Sequence, residues 1–114
     1  MDATELILLY DYYGDLLTER QKECFELRYN QDLSLGEIGQ ELGISRQGVF
    51  DNLSRTEALL KNMEAKTGCV RRDMECRKVI RSVHSAAEEL LDSNDPRAVE
   101  LAKQIIAAAH KLEE

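Results

Sequence analysis

The segment that decides the fold is Ser34-Leu-Gly-Glu-Ile-Gly-Gln-Glu-Leu-Gly-Ile-Ser-Arg-Gln-Gly-Val49. Its first half predicts a short helix, because Ser34 and Glu37 have the spacing of a capping box. In that pattern the serine oxygen accepts from a first-turn amide, and the glutamate bonds back to the amide of the serine. Gly43 then predicts a sharp turn, since glycine adopts a positive φ without steric cost.

The end of the segment predicts the start of a second helix. Ser45 is a favourable N-cap, and Ile44 and Val49 have the spacing of a hydrophobic staple around it. Two helices joined by a tight turn form a helix-turn-helix, the motif in which the second helix enters a groove of DNA. We therefore predict this motif at the centre of an all-α fold.

Gly39 has two interpretations. As a tolerated weak position inside a helix it costs up to about 1 kcal/mol relative to alanine. Alternatively, a neighbouring helix crosses too closely for a larger side chain. We favour the close approach, because Gly39 lies four residues before Gly43 within the complete pattern.

The periodicity of apolar residues predicts five or six helices in all. The first runs from Ala3 to Tyr13 and ends at Gly14 in the left-handed conformation. The second begins at Thr18–Gln21, another capping box. The helix that follows the Gly43 turn continues to about Lys66, so its far half is expected to pack on other parts of the protein.

The rest of the chain predicts a helical hairpin. One helix spans about Asp73 to Leu91, and Asp95-Pro96 is a strong start signal for the last helix. We place a helix-turn-helix domain at 1–68 and the hairpin at 69–114, with the hinge at 67–72. The apolar stripes of the hairpin are wider than the hairpin alone can cover, so they need the first domain or a second copy, and we predict a homodimer.

The charge argues against strong non-specific binding to nucleic acid. The net charge is −7, and residues 1–70 contain seven basic and thirteen acidic side chains, a net charge of −6. Affinity for nucleic acid comes largely from lysine and arginine contacts that release counterions. The longest apolar runs, Leu6–Tyr10 and Ile105–Ala109, are far shorter than the roughly 20 residues that span a bilayer. We expect a cytoplasmic protein without membrane insertion.

No pattern in the sequence indicates catalysis or a cofactor. Cys24, Cys69 and Cys76 lack the spacing of metal ligands, and we interpret them as reduced thiols, with Cys24 in the core. His84 and His110 lie singly on predicted helices. We find no catalytic constellation and no glycine-rich phosphate loop. The chain is therefore predicted not to be an enzyme and to bind no cofactor or metal.

The candidate nucleic-acid-binding residues lie at the start of the second helix of the motif. Arg46 and Gln47 could contact guanine or adenine edges with two hydrogen bonds. Ser45, Asn52 and Arg55 could bond bases or phosphates. The alternative is an ordinary solvated helix face.

Two residues interrupt this polar surface. Asp51 would repel a phosphate, or it could pair with Arg46 or Arg55 at helical spacing. For Phe50 we favour the edge of the core or a protein contact over contact with a thymine methyl group. A separate basic cluster, whose role stays open between a solvated face and a phosphate contact, consists of Arg71, Arg72, Arg77, Lys78 and Arg81.

Residues 17–60 resemble region 4 of bacterial sigma factors. The resemblance rests on Leu-Thr-Glu-Arg-Gln at 17–21, Leu-Arg-Tyr at 27–29, Glu-Ile-Gly at 37–39 and Leu-Gly-Ile-Ser at 42–45. Two residues depart from that pattern, because sigma factors usually have basic or small polar residues where Phe50 and Asp51 stand.

The whole chain is more similar to the YlxM-type family of small DNA-binding proteins. Its characteristic runs are Leu-Tyr-Asp-Tyr-Tyr-Gly-Asp-Leu-Leu-Thr at 9–18, Ile-Ser-Arg-Gln-Gly-Val-Phe-Asp-Asn at 44–52 and Arg-Thr-Glu at 55–57. The resemblance implies a regulatory protein that binds nucleic acid, DNA in preference to RNA, and a link to the signal recognition particle. The alternative is a protein- or RNA-interaction module of the targeting machinery that uses the motif as a scaffold.

Overall fold

The computed structural model describes residues 2–113, which are helical from end to end, with short connections and no strand. The predicted all-α fold, a helix-turn-helix followed by two long helices, is confirmed. The first compact unit ends at Val70 and the second begins at Arg71. The elements are α1 (Ala3–Tyr13), a 3₁₀ turn (Gly14–Leu16), α2 (Glu19–Tyr29), α3 (Leu35–Leu42), α4 (Arg46–Thr67), α5 (Cys69–Leu90) and α6 (Pro96–Glu113).

The helix boundaries follow the predicted caps. Both capping boxes form, at Thr18 before α2 and at Ser34 before α3. The amide of Ser34 donates to Glu37 Oε1 at 3.0 Å, and this bond contributes to holding the pKa of Glu37 below its usual value. Gly43 and Gly68 end α3 and α4 in the left-handed conformation, with φ of 70° and 62°. Local sequence therefore sets most of the helix ends.

The close approach predicted at Gly39 is present, and the backbone of the turn makes it. A Cβ on residue 39 would lie 2.7 Å from the carbonyl oxygen of Ile44. The amide of Ile44 donates to the carbonyl of Gly39 at 3.0 Å, which holds the two segments together. Gly39 is thus required because the chain entering α4 passes directly over α3.

Gly14 differs from the prediction. It ends α1 with φ of −56°, in the right-handed region, and the chain continues into the 3₁₀ turn. A Cβ on residue 14 would lie 3.2 Å from the ring of Tyr10, which itself stacks on Phe25 with 4.3 Å between ring centroids. Glycine at this position leaves room for an aromatic ring and does not supply a positive φ.

Two apolar clusters form the core of the first unit, and α4 contributes to both. One cluster joins α2, α3 and the start of α4 around Cys24, Ile38, Val49 and Leu53. Burial raises the pKa of the Cys24 thiol, which stays protonated as a core residue. The other cluster joins α1, α2 and the far half of α4 around Leu6, Leu9, Tyr13, Leu17, Phe25, Leu60 and Val70. The expectation that the far half of α4 packs on the protein is confirmed.

α5 begins four residues earlier than the sequence predicted. Only Gly68, which lies within the predicted hinge at 67–72, separates it from α4. Glu64 Oε1 accepts from the hydroxyl of Tyr13 at 2.6 Å and from the amide of Val70 at 3.1 Å. The first turn of α5 is therefore held by side chains of α1 and α4, which a local sequence pattern does not reveal.

The second unit pairs α5 with α6. The rings of His84 and His110 meet edge to face with 5.3 Å between centroids, and the side chain of Asp95 accepts from the amide of Arg97 as the predicted cap of α6. Within this unit the buried apolar side chains are small: Ala87, Ala102 and Ala109. No helix in residues 2–113 combines the length and the apolarity needed to cross a membrane.

We predict opposite effects for alanine at two glycines of α3. Gly39→Ala should lower the free energy of unfolding by about 2 kcal/mol or more, because the new methyl group overlaps backbone that cannot move without shifting α4. Gly36→Ala is the matched control. Its Cβ meets nothing nearer than 4.0 Å, so better helix propensity should raise stability by about 0.5–1 kcal/mol. Urea unfolding measures both, and equal effects of the two variants would contradict the close approach at Gly39.

Candidate nucleic-acid interface

The inner side of α4 fixes which of its residues face solvent. Val49, Leu53, Thr56 and Leu60 recur at spacings of three and four and are all buried. The hydroxyl of Thr56 donates to the carbonyl of Asn52 at 2.9 Å, so this buried polar group is satisfied. A helix anchored by one continuous stripe exposes the opposite stripe in a fixed orientation.

We name the exposed stripe the outer face of α4: Gln47, Asp51, Ser54 and Arg55. Gln47, Asp51 and Ser54 are four and three residues apart, and Arg55 lies four residues after Asp51, so their side chains project in similar directions. All four residues are exposed. Polar groups aligned in this way on a helix can contact base edges and phosphates in a groove about 12 Å wide.

Asp51 is held by a neighbour on the same face. Gln47 Nε2 donates to Asp51 Oδ1 at 3.0 Å. The arginines that the sequence offered as partners do not pair with it, since Arg46 and Arg55 make no ion pair within residues 2–113. Asp51 therefore fixes the amide of Gln47 and leaves both guanidinium groups available to a ligand.

Ser45 has a structural role at the start of α4. Its Oγ accepts from the amide of Gly48 at 2.9 Å, the expected cap. A Cβ on residue 48 would lie only 3.1 Å from that oxygen, so Gly48 leaves space for the cap. The hydroxyl of Ser45 can still donate a hydrogen bond, and a phosphate beside the first turn of a helix would accept it.

Arg46 lies on the flank of α4 that faces α3, one turn before Phe50. Together with Leu35 and Gln47 these two residues line an open hollow of about 560 Å³. Phe50 is 52% exposed and so lies outside the core, unlike the core-edge position that the sequence favoured as one possibility. An apolar ring beside a free guanidinium suits contact with a partner more than internal packing.

Asn52 lies on the other flank of α4 and is partly buried. Its Oδ1 is enclosed by the protein and has no hydrogen-bond partner among residues 2–113. A contact with adenine through two hydrogen bonds needs both amide atoms. The orientation of this side chain does not present both of them to solvent. Of the five candidates, Gln47 and Arg55 thus share the outer face, while Ser45, Arg46 and Asn52 lie beside it.

Sequence reasoning missed two residues of the outer face, Asp51 as a partner of Gln47 and Ser54 as an exposed hydroxyl. The spacing of the apolar residues in the sequence was enough to place both residues on the exposed side of α4. Once Val49, Leu53 and Leu60 are taken as the buried stripe, the residues on the opposite side follow from 3.6 residues per turn. Asn52 has a side chain of the right chemical type but lies outside this exposed stripe and is partly buried.

The remaining arginines of the first unit hold the motif together. Arg20 donates to the carbonyl of Leu42 at 3.4 Å and Arg28 to the carbonyl of Leu33 at 3.0 Å, at the two ends of α3. Lys22 lies within 4 Å of the carboxylates of Asp15 and Glu19. The cations near the start of α4 that remain for a polyanion are therefore Arg46 and Arg55. No group of three or more metal-ligating side chains is arranged around a common point in residues 2–113.

The capped turn, the buried stripe and the polar outer face of α4 define a helix-turn-helix protein. The model of one protein family, described as "Putative helix-turn-helix protein, YlxM / p13 like", matches residues 1–98. The chain belongs to this family, UPF0122, as the resemblance predicted.

Individual relatives cover almost the whole chain. A UPF0122 protein of Thermoanaerobacter sp. (strain X514) is 41% identical over 114 residues, covering 99% of this chain and 95% of the relative. One from Bacillus cereus (strain AH187) is 37% identical over 111 residues, covering 97% and 96%. A third, from Caldanaerobacter subterraneus subsp. tengcongensis, is 49% identical over 82 residues, covering 72% and 70%. The first two alignments extend through the C-terminal hairpin.

We predict that Asn52→Ala stabilises the protein. Asn52 Oδ1 loses its hydrogen bonds to water when the protein folds and gains none in return, so its removal should stabilise the folded state. Alanine also has the better helix propensity. We expect a gain of about 0.5–1 kcal/mol in the free energy of unfolding, measured in urea. Ser54→Ala, at an exposed site of the same helix, measures the propensity gain alone. A loss of more than about 1 kcal/mol in Asn52→Ala would show that Oδ1 has a partner.

Proposed function

We propose that this protein is a non-catalytic regulator that binds nucleic acid through α4, with DNA preferred to RNA. The observation that carries the proposal is the outer face of α4, a continuous exposed polar stripe on a helix anchored along its opposite side. The major groove of B-DNA admits an α-helix, whereas that of A-form RNA is deep and narrow. An exposed rigid helix therefore fits DNA better.

Each candidate has a distinct role in this proposal. Arg46 and Arg55 contact phosphates or guanine on either side of the groove. Gln47 and Asp51 contact bases as a pair, because the carboxylate accepts from the amino group of cytosine and the amide oxygen of Gln47 accepts from that of adenine. Ser45 bonds a phosphate at the helix start, and Asn52 contacts no base.

The electrostatics limit the affinity. Residues 1–70 have a net charge of −6, and Asp51 lies within the contact surface itself. With two free cations near the groove, counterion release is small. Sequence-specific contacts with bases must therefore supply much of the binding free energy, and the protein should bind random DNA poorly.

We predict a shallow salt dependence and two sensitive arginines. In fluorescence anisotropy with duplex genomic fragments, the logarithm of the association constant should fall with the logarithm of salt concentration with a slope of about −2. Arg46→Ala and Arg55→Ala should each reduce that slope by about one unit and weaken binding at low salt.

Lys66→Ala is the matched control for this experiment. It removes the same charge from the same helix, but about 16 Å beyond Arg55 at 1.5 Å per residue. Its binding curve and salt slope should equal those of the unmodified protein. Undiminished binding by Arg46→Ala and Arg55→Ala would exclude α4 as the contact helix.

A second function is favoured by the exposed Phe50 and the acidic first unit. In this hypothesis the helix-turn-helix is a scaffold that contacts components of the signal recognition particle, the partners that the YlxM resemblance implies. The ring of Phe50 and the hollow beside Leu35 and Arg46 form an apolar contact site with a cationic edge. A protein with this function would be cytoplasmic, because the targeting machinery acts in the cytoplasm.

The second function predicts saturable binding of purified targeting GTPases or their RNA in surface plasmon resonance. Phe50→Ala should weaken that binding at least tenfold, since an exposed aromatic anchor typically dominates such contacts. Leu16→Ala, at an exposed apolar site of the 3₁₀ turn, is the control. Absence of binding to these components, together with sequence-specific DNA binding, would decide against this function.

We also propose that two copies associate through the second unit. The support is its composition: within residues 71–113 the buried apolar side chains are alanines, while most of the larger apolar side chains stay exposed. Helix-turn-helix dimers bind paired half-sites on DNA whose symmetry mirrors that of the protein, and two-fold dimers are the commonest homo-oligomers.

A further inference from the structure

Residues 71–113 expose eight large apolar side chains. Apart from Met74 and Leu91, the six others are between 37% and 69% exposed. They have the same spacing on both helices, with the second residue four and the third eleven positions after the first. On α5 and α6 respectively they are Val79, Val83 and Leu90, and Leu101, Ile105 and Leu112.

These six side chains fall on one side of the hairpin. Successive residues of a helix are 100° apart around its axis. The three exposed residues of α5 therefore lie about 40–80° around the axis from the buried Ala87. Those of α6 lie about 60–100° from the buried Ala102, in the same sense of rotation. The two helices are antiparallel neighbours, joined by the connection at 91–95 and by the contact of His84 with His110. Equal rotation on antiparallel neighbours points both rows to the same side. We name this surface the apolar face of the hairpin.

The hairpin lacks an adequate core of its own. Within residues 71–113 the fully buried apolar side chains are three alanines, which remove little apolar surface from water. Units of fewer than about 50 residues rarely bury enough surface to be stable without a partner. Ile80, Val99 and Ile106 are only partly buried, and most of the other large apolar side chains lie on the apolar face.

We infer that the apolar face of the hairpin binds the same face of a second copy, in an antiparallel four-helix bundle. This deepens the dimer part of the proposed function. The first unit offers no matching surface in residues 2–113, since its exposed large apolar side chains are scattered over three elements: Tyr12, Leu16, Phe50 and Leu59. A second copy supplies a face of the same length and width.

The size of the face is sufficient for a specific dimer. α6 has 18 residues and α5 has 22, so the shared length is about 27 Å at 1.5 Å per residue. Two helices about 9 Å apart present a face about 18 Å wide. Two such faces together bury on the order of 1,000 Å², the lower bound for a specific interface.

The charges select the antiparallel orientation. Residues 71–83, at the open end of the hairpin, contain five basic and two acidic side chains, a net charge of +3. Residues 84–100, around the turn, contain one basic and five acidic side chains, a net charge of −4. An antiparallel pair places each basic end beside the acidic turn of its partner, whereas a parallel pair would bring like charges together.

Sedimentation velocity of the full chain without nucleic acid tests the face separately from DNA binding. The unmodified protein should be a dimer at micromolar concentration, and Val83→Glu or Ile105→Glu should raise the dissociation constant at least 100-fold. Leu16→Glu, the same change at an exposed apolar site of the first unit, should leave it within threefold. A monomer at 500 µM, or equal weakening by Leu16→Glu, would overturn the inference.

Circular dichroism of each variant separates loss of the interface from loss of helix. If Val83→Glu or Ile105→Glu unfolds the hairpin, Val79→Glu and Leu112→Glu replace them, since these side chains are 62% and 69% exposed and tolerate charge within one copy. They should also dissociate the dimer with the helical signal retained. Dimers that persist in both would contradict the proposed face.

Cross-linking tests the orientation. Cys76 and Leu90 lie seven residues before and after Val83. An antiparallel dimer in which α5 packs on α5 of the partner, centred on Val83, therefore brings Cys76 of each copy beside position 90 of the other. Leu90→Cys should give a bond between native Cys76 and the new thiol with a short bismaleimide, identified by mass spectrometry. The same two positions lie about 21 Å apart on one helix, beyond the reach of that reagent. Bonds between the two copies of Cys76 instead would indicate a parallel dimer and contradict the charge argument.

Discussion

The contact of the Ile44 carbonyl with Gly39 is the constraint on which the rest of the structure depends. The turn after α3 lies directly on that helix because residue 39 has no side chain, and a Cβ there would lie 2.7 Å from the carbonyl oxygen. Gly43 reverses the chain with φ of 70°, and Ser45 then caps α4. Together these residues fix the direction in which α4 leaves α3, and hence the direction of its outer face.

α4 carries that orientation through the whole first unit. Its first half packs in one apolar cluster and Leu60 in the other, so a single 22-residue helix joins the helix-turn-helix to α1. Tyr29 of α2 donates to Glu57 of α4 at 2.7 Å, and burial is the main cause that raises the pKa of this phenol to about 12. α4 therefore presents the residues of the outer face and also holds them in a fixed orientation through its packing.

The sequence predicts the parts of this structure that depend on neighbours in the chain. The caps at Thr18, Ser34 and Ser45 and the turn at Gly43 follow from local hydrogen bonding and backbone sterics. The conformation of Gly14 and the start of α5 do not follow, because both depend on tertiary contacts. Tyr10, which crowds Gly14, stacks on Phe25 of α2. Glu64, which accepts from the amide of Val70, is itself bonded by Tyr13 of α1. In the candidate site, Gln47 and Arg55 were placed by type and spacing, whereas the partner of Asp51 and the burial of the Asn52 oxygen depend on side-chain geometry.

We propose that the outer face of α4 is the surface that contacts nucleic acid. Amide chemical-shift mapping of the ¹⁵N-labelled protein, titrated with a short DNA duplex at low salt, tests it most directly. We expect the largest shifts at residues 45–55, with small shifts in α1, α2 and the hairpin. Shifts confined to the hairpin or to the acidic helices, with residues 45–55 unchanged, would contradict it.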